Sequence, residues 1–511
     1  MLCSVPLCLG AAVPLVAQCP DGSPPPCARA AARAAGPAPT SVAVLYFDNL
    51  SRDTGDAYVA DGLTEELIAR LGQIERLQVK SRTAVQRYRG RPIDDPTSLG
   101  RTLGVAHLVS GSVRRGGGRL RVTVEMTRAA TGVRVWGNSY ERGADDLMAV
   151  ETDIAQAIAE GVGGQLAPAE RRSLTARATT DPAAYDRMLR GNFSLARRTG
   201  SDARRAIAEY EAAVRIDPSL AQAWARIGLA YYLFLDWGWS WPGLTADSLL
   251  ARGFGAADRA LAQDSANSDA WMARGLLLTY RDPFTQAGAV PALERAVQLD
   301  PRNAEAWHQL GGTLMAQGRD PAAALRAFER ALALDPQRMI TLVNLGALIG
   351  YQGRDTEALA VLDSAVAANP DSYYARLGRG WIRLRLGDMA GSGADADAVE
   401  RMRPADFTMD SEPLIIAVLA ARGDSAVARV RADRLVESVD IGRGGAPWPA
   451  TYVALAFMAT GRSERAVAAL EGARRTGIAL WFGMLDPNLA PLRGNPRFQR
   501  LLAEVRPPWA R

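Results

Sequence analysis

The side chains that most often carry out chemistry in proteins are scarce in this sequence of 511 residues. It has two histidines, His107 and His308, and one lysine, Lys80. A Ser-His-Asp triad, a multi-histidine metal site or a metalloprotease helix needs histidines in a usable pairing, which this sequence lacks. We therefore predict no catalytic residue, no metal site and no cofactor. Acid–base chemistry by two carboxylates stays open, because 55 acidic residues always supply some close pair.

The stretch "RRGGGRLR", residues 114–121, is the nearest approach to a phosphate-binding loop. It lacks the lysine and the following serine or threonine, and a hairpin turn between two strands explains its glycines. Lys80 has neither a phosphate loop before it nor kinase motifs after it. Residues 42–165 hold 16 basic and 16 acidic side chains, so no basic face for nucleic acid is evident. We expect neither a P-loop enzyme, nor a kinase, nor a nucleic-acid partner.

All four cysteines, at positions 3, 8, 19 and 27, lie near the amino terminus, without the spacing or the nearby histidine of a metal site. Residues 1–17 contain an apolar run that is too short for a comfortable membrane span and suits a signal-peptide core, although no basic residues precede it. Cleavage after Ala17 would leave Cys19 and Cys27 to form a disulfide in an oxidising compartment. We predict a periplasmic or secreted protein without a transmembrane span, with residues 18–40 as a linker; a cytoplasmic location is the alternative.

The elements that must position any functional residue follow a repeating plan. Closing dipeptides such as Asp300-Pro301 and Asp335-Pro336 recur at intervals of 47, 36, 35 and 34 residues from Asp217 to Asn369. Within a unit, small and apolar residues at three- and four-residue steps predict two amphipathic helices, with a turn at Gly318. Neither helix can bury its apolar stripe alone, so the units must stack.

These units resemble the tetratricopeptide repeat. The residues that carry the resemblance are early aromatics (Trp224, Trp271, Trp307), early glycines (Gly228, Gly275, Gly311, Gly346) and second-helix alanines (Ala213, Ala331, Ala365). The resemblance implies an all-α superhelical solenoid over residues 181–504, with degenerate later repeats and a cap at its end. It also implies that the first helix of each unit lines a concave surface that binds a protein or a peptide.

Eight residues are candidates for that partner-binding surface. The first helices contribute Tyr232, Met272, His308, Met315 and Trp381. The long interval between two units contains the burst "YYLFLDWGWSWPGL", which adds Trp237, Trp239 and Trp241. Exposed tryptophans are enriched at binding hot spots. The alternative is that the insertion folds back and buries its own rings, and plain packing is the alternative for each residue taken singly.

Residues 41–166 lack the helical repeat pattern, and their mixture of strand and helix patterns predicts a separate α/β domain of about 125 residues. Strands are predicted at "SVAVLYFDNL", "LQVKSRTAV" and in a three-stranded region joined by glycine turns, with helices between and after them. The segments "SVAVLYFDNLS", "ADGLTEELIARL", "LGVAHLVSGSVRR" and "VWGNSYER" resemble the TolB amino-terminal-like domain, which in bacteria often precedes tetratricopeptide repeats. That family lacks an agreed catalytic residue, so the resemblance implies a fold and an architecture.

Together these features predict an exported, non-enzymatic bacterial protein in which an α/β domain precedes a solenoid that binds a protein or peptide partner. It would act as a scaffold or as a sensor-type module. The alternatives are a remnant or relative of a signalling protein that lacks its kinase, adenylate cyclase or DNA-binding domain, and an unrecognised enzyme.

Overall fold

The computed structural model describes residues 37–197, 199–336, 338–402, 410–438 and 448–508. The candidate signal peptide at 1–17, nearly all of the linker at 18–40 and the Cys19–Cys27 pair lie outside the described residues. The described chain is mostly helical, with a small sheet near its amino end.

One mixed sheet forms the centre of the amino-terminal part. Its strands are β1 (Ser41–Val44), β2 (Asp48–Asn49), β3 (Gln78–Val79), β4 (His107–Gly116), β5 (Arg119–Arg128) and β6 (Val133–Gly143). The strand order is β3-β1-β4-β5-β6, with β2 also paired to β4. The pairs that involve β1 and β2 are parallel, whereas β4, β5 and β6 form an antiparallel meander.

Helices cover both faces of this sheet. They are α1 (Ala57–Gly72), α2 (Arg82–Gln86), α3 (Pro96–Leu103) and α4 (Leu147–Gly163). Alternate residues of β1 point to opposite faces: Val42 and Val44 pack in one core with α1 and α4, and Ala43 packs in the other core with α2 and α3. Burial on both sides explains the uninterrupted apolar run of this strand. Residues 41–163 are called the α/β domain below.

The strand predicted at "LQVKSRTAV" is wrong over most of its length. Only Gln78 and Val79 pair with the sheet. The Ser81 hydroxyl then accepts a hydrogen bond from the amide of Ala84 (3.3 Å) and starts α2. A serine cap at this position ends the strand and begins a helix, although the β-branched residues that follow favour a strand.

After α5 (Pro168–Thr175), the described chain forms eight successive helical hairpins. Their helices are α6 (Pro182–Leu195), α7 (Gly200–Ile216), α8 (Ala221–Asp236), α9 (Ala246–Gln263), α10 (Ser268–Arg281), α11 (Ala289–Leu299), α12 (Ala304–Gln317), α13 (Pro321–Leu334), α14 (Met339–Tyr351), α15 (Asp355–Ala368), α16 (Tyr373–Arg385), α17 (Met389–Met402), α18 (Glu412–Ala421), α19 (Ser425–Ser438), α20 (Trp448–Ala459) and α21 (Ser463–Gly472). The first helix of each hairpin is called its A helix and the second its B helix.

Two sets of glycines fix the geometry of the hairpins. A Cβ atom on Gly311 would lie 2.6 Å from the buried ring of Phe328, and one on Gly346 would lie 2.8 Å from Leu362. The early glycines therefore let the A and B helices of a unit approach closely. Gly318 ends α12 with a φ of 59°, in the left-handed region that glycine adopts most readily. The corresponding turns of later hairpins use the same conformation.

The early tryptophans perform one repeated structural task. In each unit the indole N–H donates to the backbone carbonyl six residues earlier, in the pairs Trp224–Pro218 (3.1 Å), Trp271–Ser265 (2.9 Å) and Trp307–Pro301 (3.0 Å). Arg376 makes the equivalent bond to Pro370 with its Nε (2.8 Å). This hydrogen bond thus holds the start of each of these A helices against the loop that precedes it.

The carboxyl end closes the last hairpin. A short 3-10 turn leads into α22 (Ile478–Met484), a second 3-10 segment spans Pro487–Gly494, and α23 (Pro496–Val505) follows. Leu480, Met484 and Phe498 are buried in a core shared with α20 and α21. Residues 448–505 are called the C-terminal cap below.

Candidate partner-binding site

The tryptophans of the insertion pack on the solenoid and on one another. Trp237 and Trp239 are half-buried with ring centroids 5.4 Å apart, and Trp241 lies 5.1 Å from Phe234. Trp239 also stands edge-on to Phe234 (5.6 Å) and covers the start of α7, because a Cβ on Gly200 would lie 3.2 Å from its ring. The insertion therefore folds back, and the predicted ridge of exposed rings is corrected to a packed aromatic cluster.

Three further candidates are core residues. Tyr232, Met272 and His308 are exposed to only 7%, 1% and 5%. Tyr232 stands edge-on to Tyr280 (6.0 Å), and the Nδ1 atom of His308 is hydrogen-bonded to the hydroxyl of Thr341 (3.0 Å). The surface role predicted for these three is wrong in this structure, because the parts of the chain packed around their A helices shield them from solvent.

Met315 and Trp381 are the two candidates on A helices that stay half-buried. Both pack against an apolar core that the C-terminal cap shares with α18 and α19. Tyr351, at the end of α14, packs against the same core. Met315, Tyr351 and Trp381 are called the apolar face below. Tyr351 was not among the predicted residues, although it stands five residues after Gly346, as Tyr280 stands five residues after Gly275.

Helix α22 of the C-terminal cap packs on the part of the apolar face that Tyr351 forms and on α12. The ring of Phe482 lies 4.7 Å from that of Tyr351, and the Tyr351 hydroxyl donates to the Asp486 carboxylate at 3.4 Å. Burial raises the pKa of both the Tyr351 phenol and the Asp486 carboxyl. The ring of Trp481 covers Gly318, since a Cβ there would lie 2.9 Å from it.

A backbone contact fixes the start of α22 against the central units. The amide of Ile478 donates to the carbonyl of Pro283, in the turn after α10, at 2.8 Å. Gly477, immediately before it, has a φ of 57°, and a Cβ at this position would lie 2.2 Å from the same carbonyl oxygen. Only glycine fits between the two chain segments here.

The amino-terminal ends of the A helices carry charge instead. Arg226 pairs with Asp269 across neighbouring units (3.1 Å), and Arg338 pairs with Glu305. The carboxylate of Asp269, and more distantly that of Glu65 on α1, raise the pKa of Arg226. The charged amino-terminal ends of these A helices thus lie near the α/β domain.

Directional bonds hold the α/β domain to the first hairpin. Asp186 of α6 accepts a hydrogen bond from the Tyr58 hydroxyl (2.5 Å) and pairs with Arg115 (3.4 Å). The Tyr185 hydroxyl donates to Glu151 (2.7 Å), a carboxyl that is completely buried. Burial raises the pKa of Glu151 well above its ordinary value, and the nearby Glu66 adds to this effect.

A cavity of about 170 Å³ lies where the α/β domain meets α6. Asp61 and Glu65 line it, and burial raises the pKa of Asp61 to about 6. Each carboxylate is already paired, Glu65 with Arg82 at 3.0 Å and Asp61 with Arg89 at 2.5 Å. The site therefore joins two carboxylates to two arginines in a structural network.

Among the residues that the structure describes, no three acidic, histidine or cysteine side chains come together where a metal ion would sit. None of the described helices combines the length and the apolar character that crossing a membrane requires.

Comparisons with known proteins concern mainly the repeats. The tetratricopeptide repeat model matches residues 287–338 and 350–407. A protein of Rhizobium meliloti (strain 1021) named "Putative adenylate cyclase 3" is 32% identical over 251 residues, which is 49% of this chain and 42% of that protein. The chain thus spans less than half the length of this curated relative.

Solved structures of helical repeat proteins also align. Pseudomonas aeruginosa PilF is 19% identical with a TM-score of 0.35, over 43% of this chain and 91% of that one. YrrB, described as a tetratricopeptide repeat protein with an unusual peptide-binding site, is 26% identical with a TM-score of 0.25, over 37% and 90%. Yeast Tom70 is 10% identical with a TM-score of 0.41, over 70% and 82%. On the family match and the hairpins described above, this chain contains tetratricopeptide repeats.

Proposed function

We propose that this protein is a non-enzymatic scaffold or sensor-type module of the bacterial cell envelope, which binds a protein or peptide through the A-helix face of its repeats. One observation carries the proposal: the apolar face already holds a peptide segment, since the cap places Trp481 and Phe482 on it. A rigid curved surface with a few aromatic anchors is the usual way in which helical repeats bind their partners.

The α/β domain is proposed to be a TolB amino-terminal-like domain. The segments that carry this resemblance form the buried strand β1, helix α1 and the strands of the meander, which supports a structural role for the domain as a whole rather than for one residue. In this proposal the domain orients the solenoid, because Tyr58, Arg115 and Asp186 join the two parts.

The main test of binding is cross-linking in the native envelope. The chain would be expressed as wild type, as Trp381→Ala and as Val427→Ala, and cross-linked proteins would be identified by mass spectrometry. Val427 is an exposed residue on α19, away from the apolar face, and serves as the matched control. We expect Trp381→Ala to lose the partners that the other two retain. Identical partners in all three would contradict the role of the A-helix face.

The proposed export requires processing at the amino terminus. We expect the intact mass of the native protein to correspond to a chain that begins near Gln18 and to change by two hydrogens on reduction of a Cys19–Cys27 disulfide. An uncleaved chain with four free thiols would instead favour the cytoplasmic alternative.

A second candidate function is that of a signalling-protein relative whose effector domain is not in this sequence. The similarity to a protein named as an adenylate cyclase favours this candidate. A native protein much heavier than 54.6 kDa would support it. Formation of cyclic AMP from ATP by the purified chain itself would contradict the non-enzymatic proposal.

A further inference from the structure

The segment that occupies the apolar face has a defined chemistry. It is a single short helix with two adjacent aromatic rings, Trp481 and Phe482, and with a carboxylate at its end, Asp486. Its first amide, that of Ile478, hydrogen-bonds to a backbone carbonyl of the central units. The surface thus has room for two aromatic rings. The Tyr351 hydroxyl can donate a hydrogen bond to an acid, and the Pro283 carbonyl can accept one from the first N–H of a helix.

We propose that the apolar face is a docking surface for a short aromatic helix of a partner protein, and that residues 477–486 occupy it until that helix displaces them. This inference rests on the proposed binding function and names both the class of partner and the competing segment. The partner helix would carry two adjacent large aromatic residues followed by an acidic residue, as in the sequence "GIALWFGMLD" of the chain itself.

The contact has the form of a separable interface. On the side of the cap, Leu480 and Met484 are buried with Phe498 in the core that α22 shares with α20 and α21. On the other side, the central units pack in a different core, which includes Phe328 and Leu362. Each part has an apolar core of its own, and Met315 packs against both, so a competing helix can open the contact without unfolding either part.

The acid at the end of the segment supports recognition of a particular chemistry. Tyr351 provides the hydroxyl for Asp486, and the Tyr351 ring packs against an apolar core. A partner with a phenylalanine or a leucine in place of the acid would leave the Tyr351 hydroxyl buried without an acceptor, which is unfavourable. The surface therefore favours an acidic residue at this position over an apolar one.

The test uses a fluorescent peptide of residues 475–489, "RTGIALWFGMLDPNL", and a control peptide in which alanine replaces both aromatic residues. Gly477→Ala in the full chain places a Cβ against the carbonyl of Pro283 and should open the contact without altering the apolar face. Gly461→Ala is the matched control, because Gly461 also has a positive φ (74°) but has open space around it.

We expect Gly477→Ala to bind the aromatic peptide at least tenfold more tightly than wild type or Gly461→Ala, and to bind the control peptide weakly. Equal affinity of all three proteins for the aromatic peptide, or no binding by any of them, would overturn the inference. The cross-linking comparison of Trp381→Ala with Val427→Ala would still decide the proposed binding function in that case, so the two failures are distinguishable.

A measurement on the wild-type chain covers the case in which Gly477→Ala does not fold. Hydrogen exchange of the segment 477–486 reports the bond from the Ile478 amide to Pro283. An excess of the aromatic peptide should speed this exchange, while the control peptide should leave it unchanged. Exchange that is the same with both peptides would overturn the inference.

Discussion

Two parts of the chain close on the same solenoid by different physical means. The α/β domain shares an apolar core with the first hairpin, in which Leu189 packs against Gly62, and it adds hydrogen bonds and ion pairs such as those of Asp186 with Tyr58 and Arg115. The C-terminal cap meets it through aromatic rings, such as Phe482 against Tyr351. Polar bonds fix an orientation and depend on pH and salt, whereas apolar contacts depend on shape and area. The shared core and the polar bonds give the first end a fixed attachment, and the second end is the one at which we propose exchange.

The largest effect should come from the aromatic contact. Trp481→Ala removes a ring that is buried between the cap and the turn at Gly318. We expect it to lower the free energy of unfolding by about 3–5 kcal/mol, as large aromatic truncations do in cores. Urea unfolding, followed by circular dichroism, measures this. Val430→Ala, on an exposed part of α19, is the control and should change little; an equal loss in both would show that Trp481 is not a packing centre.

The polar contact should be weaker per residue. Asp186→Ala leaves Tyr58 and Arg115 without their shared acceptor. We expect a loss of about 1–3 kcal/mol in the same urea experiment. The exposed Asp153, whose nearest arginine nitrogen lies 3.8 Å away, provides the matched control as Asp153→Ala. A loss for Asp186→Ala as small as the control's would remove this residue from the contact.

The buried Glu151 should give the polar contact a distinctive pH dependence. Burial raises its pKa, so the folded protein keeps a proton that the unfolded chain releases near its ordinary pKa of about 4.3. At this group the folded state then binds more protons, so the contribution of Glu151 to stability falls as the pH rises above that value. We expect Glu151→Gln to be free of this decline.

Urea unfolding at several pH values between 5 and 8 tests this prediction. The exposed Glu160, on the same helix, serves as the control in the form of Glu160→Gln. Parallel curves for wild type and Glu151→Gln would mean that Glu151 does not titrate differently in the two states.

The smallest effect should come from the one hydrogen bond within the aromatic contact. Tyr351→Phe keeps the ring against Phe482 and removes the 3.4 Å bond to Asp486. At this length we expect a loss of about 0.5 kcal/mol, at the low end for a hydrogen bond. Thermal unfolding of the two proteins side by side measures it. A loss of several kcal/mol would mean that polar bonding, rather than ring packing, holds the cap.

The periodic features of the solenoid could be predicted from the sequence because each repeats a local cause. The tryptophan at the start of an A helix donates a hydrogen bond to a carbonyl only six residues earlier. Gly311 packs against the B helix of its own unit. Such contacts recur in every unit and leave a period in the sequence. The prediction for the α/β domain was less accurate, because a serine cap starts helix α2 where a strand was predicted.

The candidate site was predicted only in part, because its contacts join distant residues. Met315 and Trp381 were predicted from their places on A helices, and both pack against the core that includes the cap. Tyr232, Met272 and His308 have equivalent places, and their sequence gives no sign that other parts of the chain cover them. Nothing in the spacing of residues 477–486 indicates that they return to the central units.

The bond from Ile478 to Pro283 has a consequence for how the molecule folds. An open array of repeats has only nearest-neighbour interfaces, so its ends fray first and its units unfold in sequence. Here the last helices are fastened to units in the middle of the array, and forming that link requires the closure of a long loop. Folding should therefore be slower and more cooperative than that of a linear array, and deleting the last helices should weaken units far from the cut.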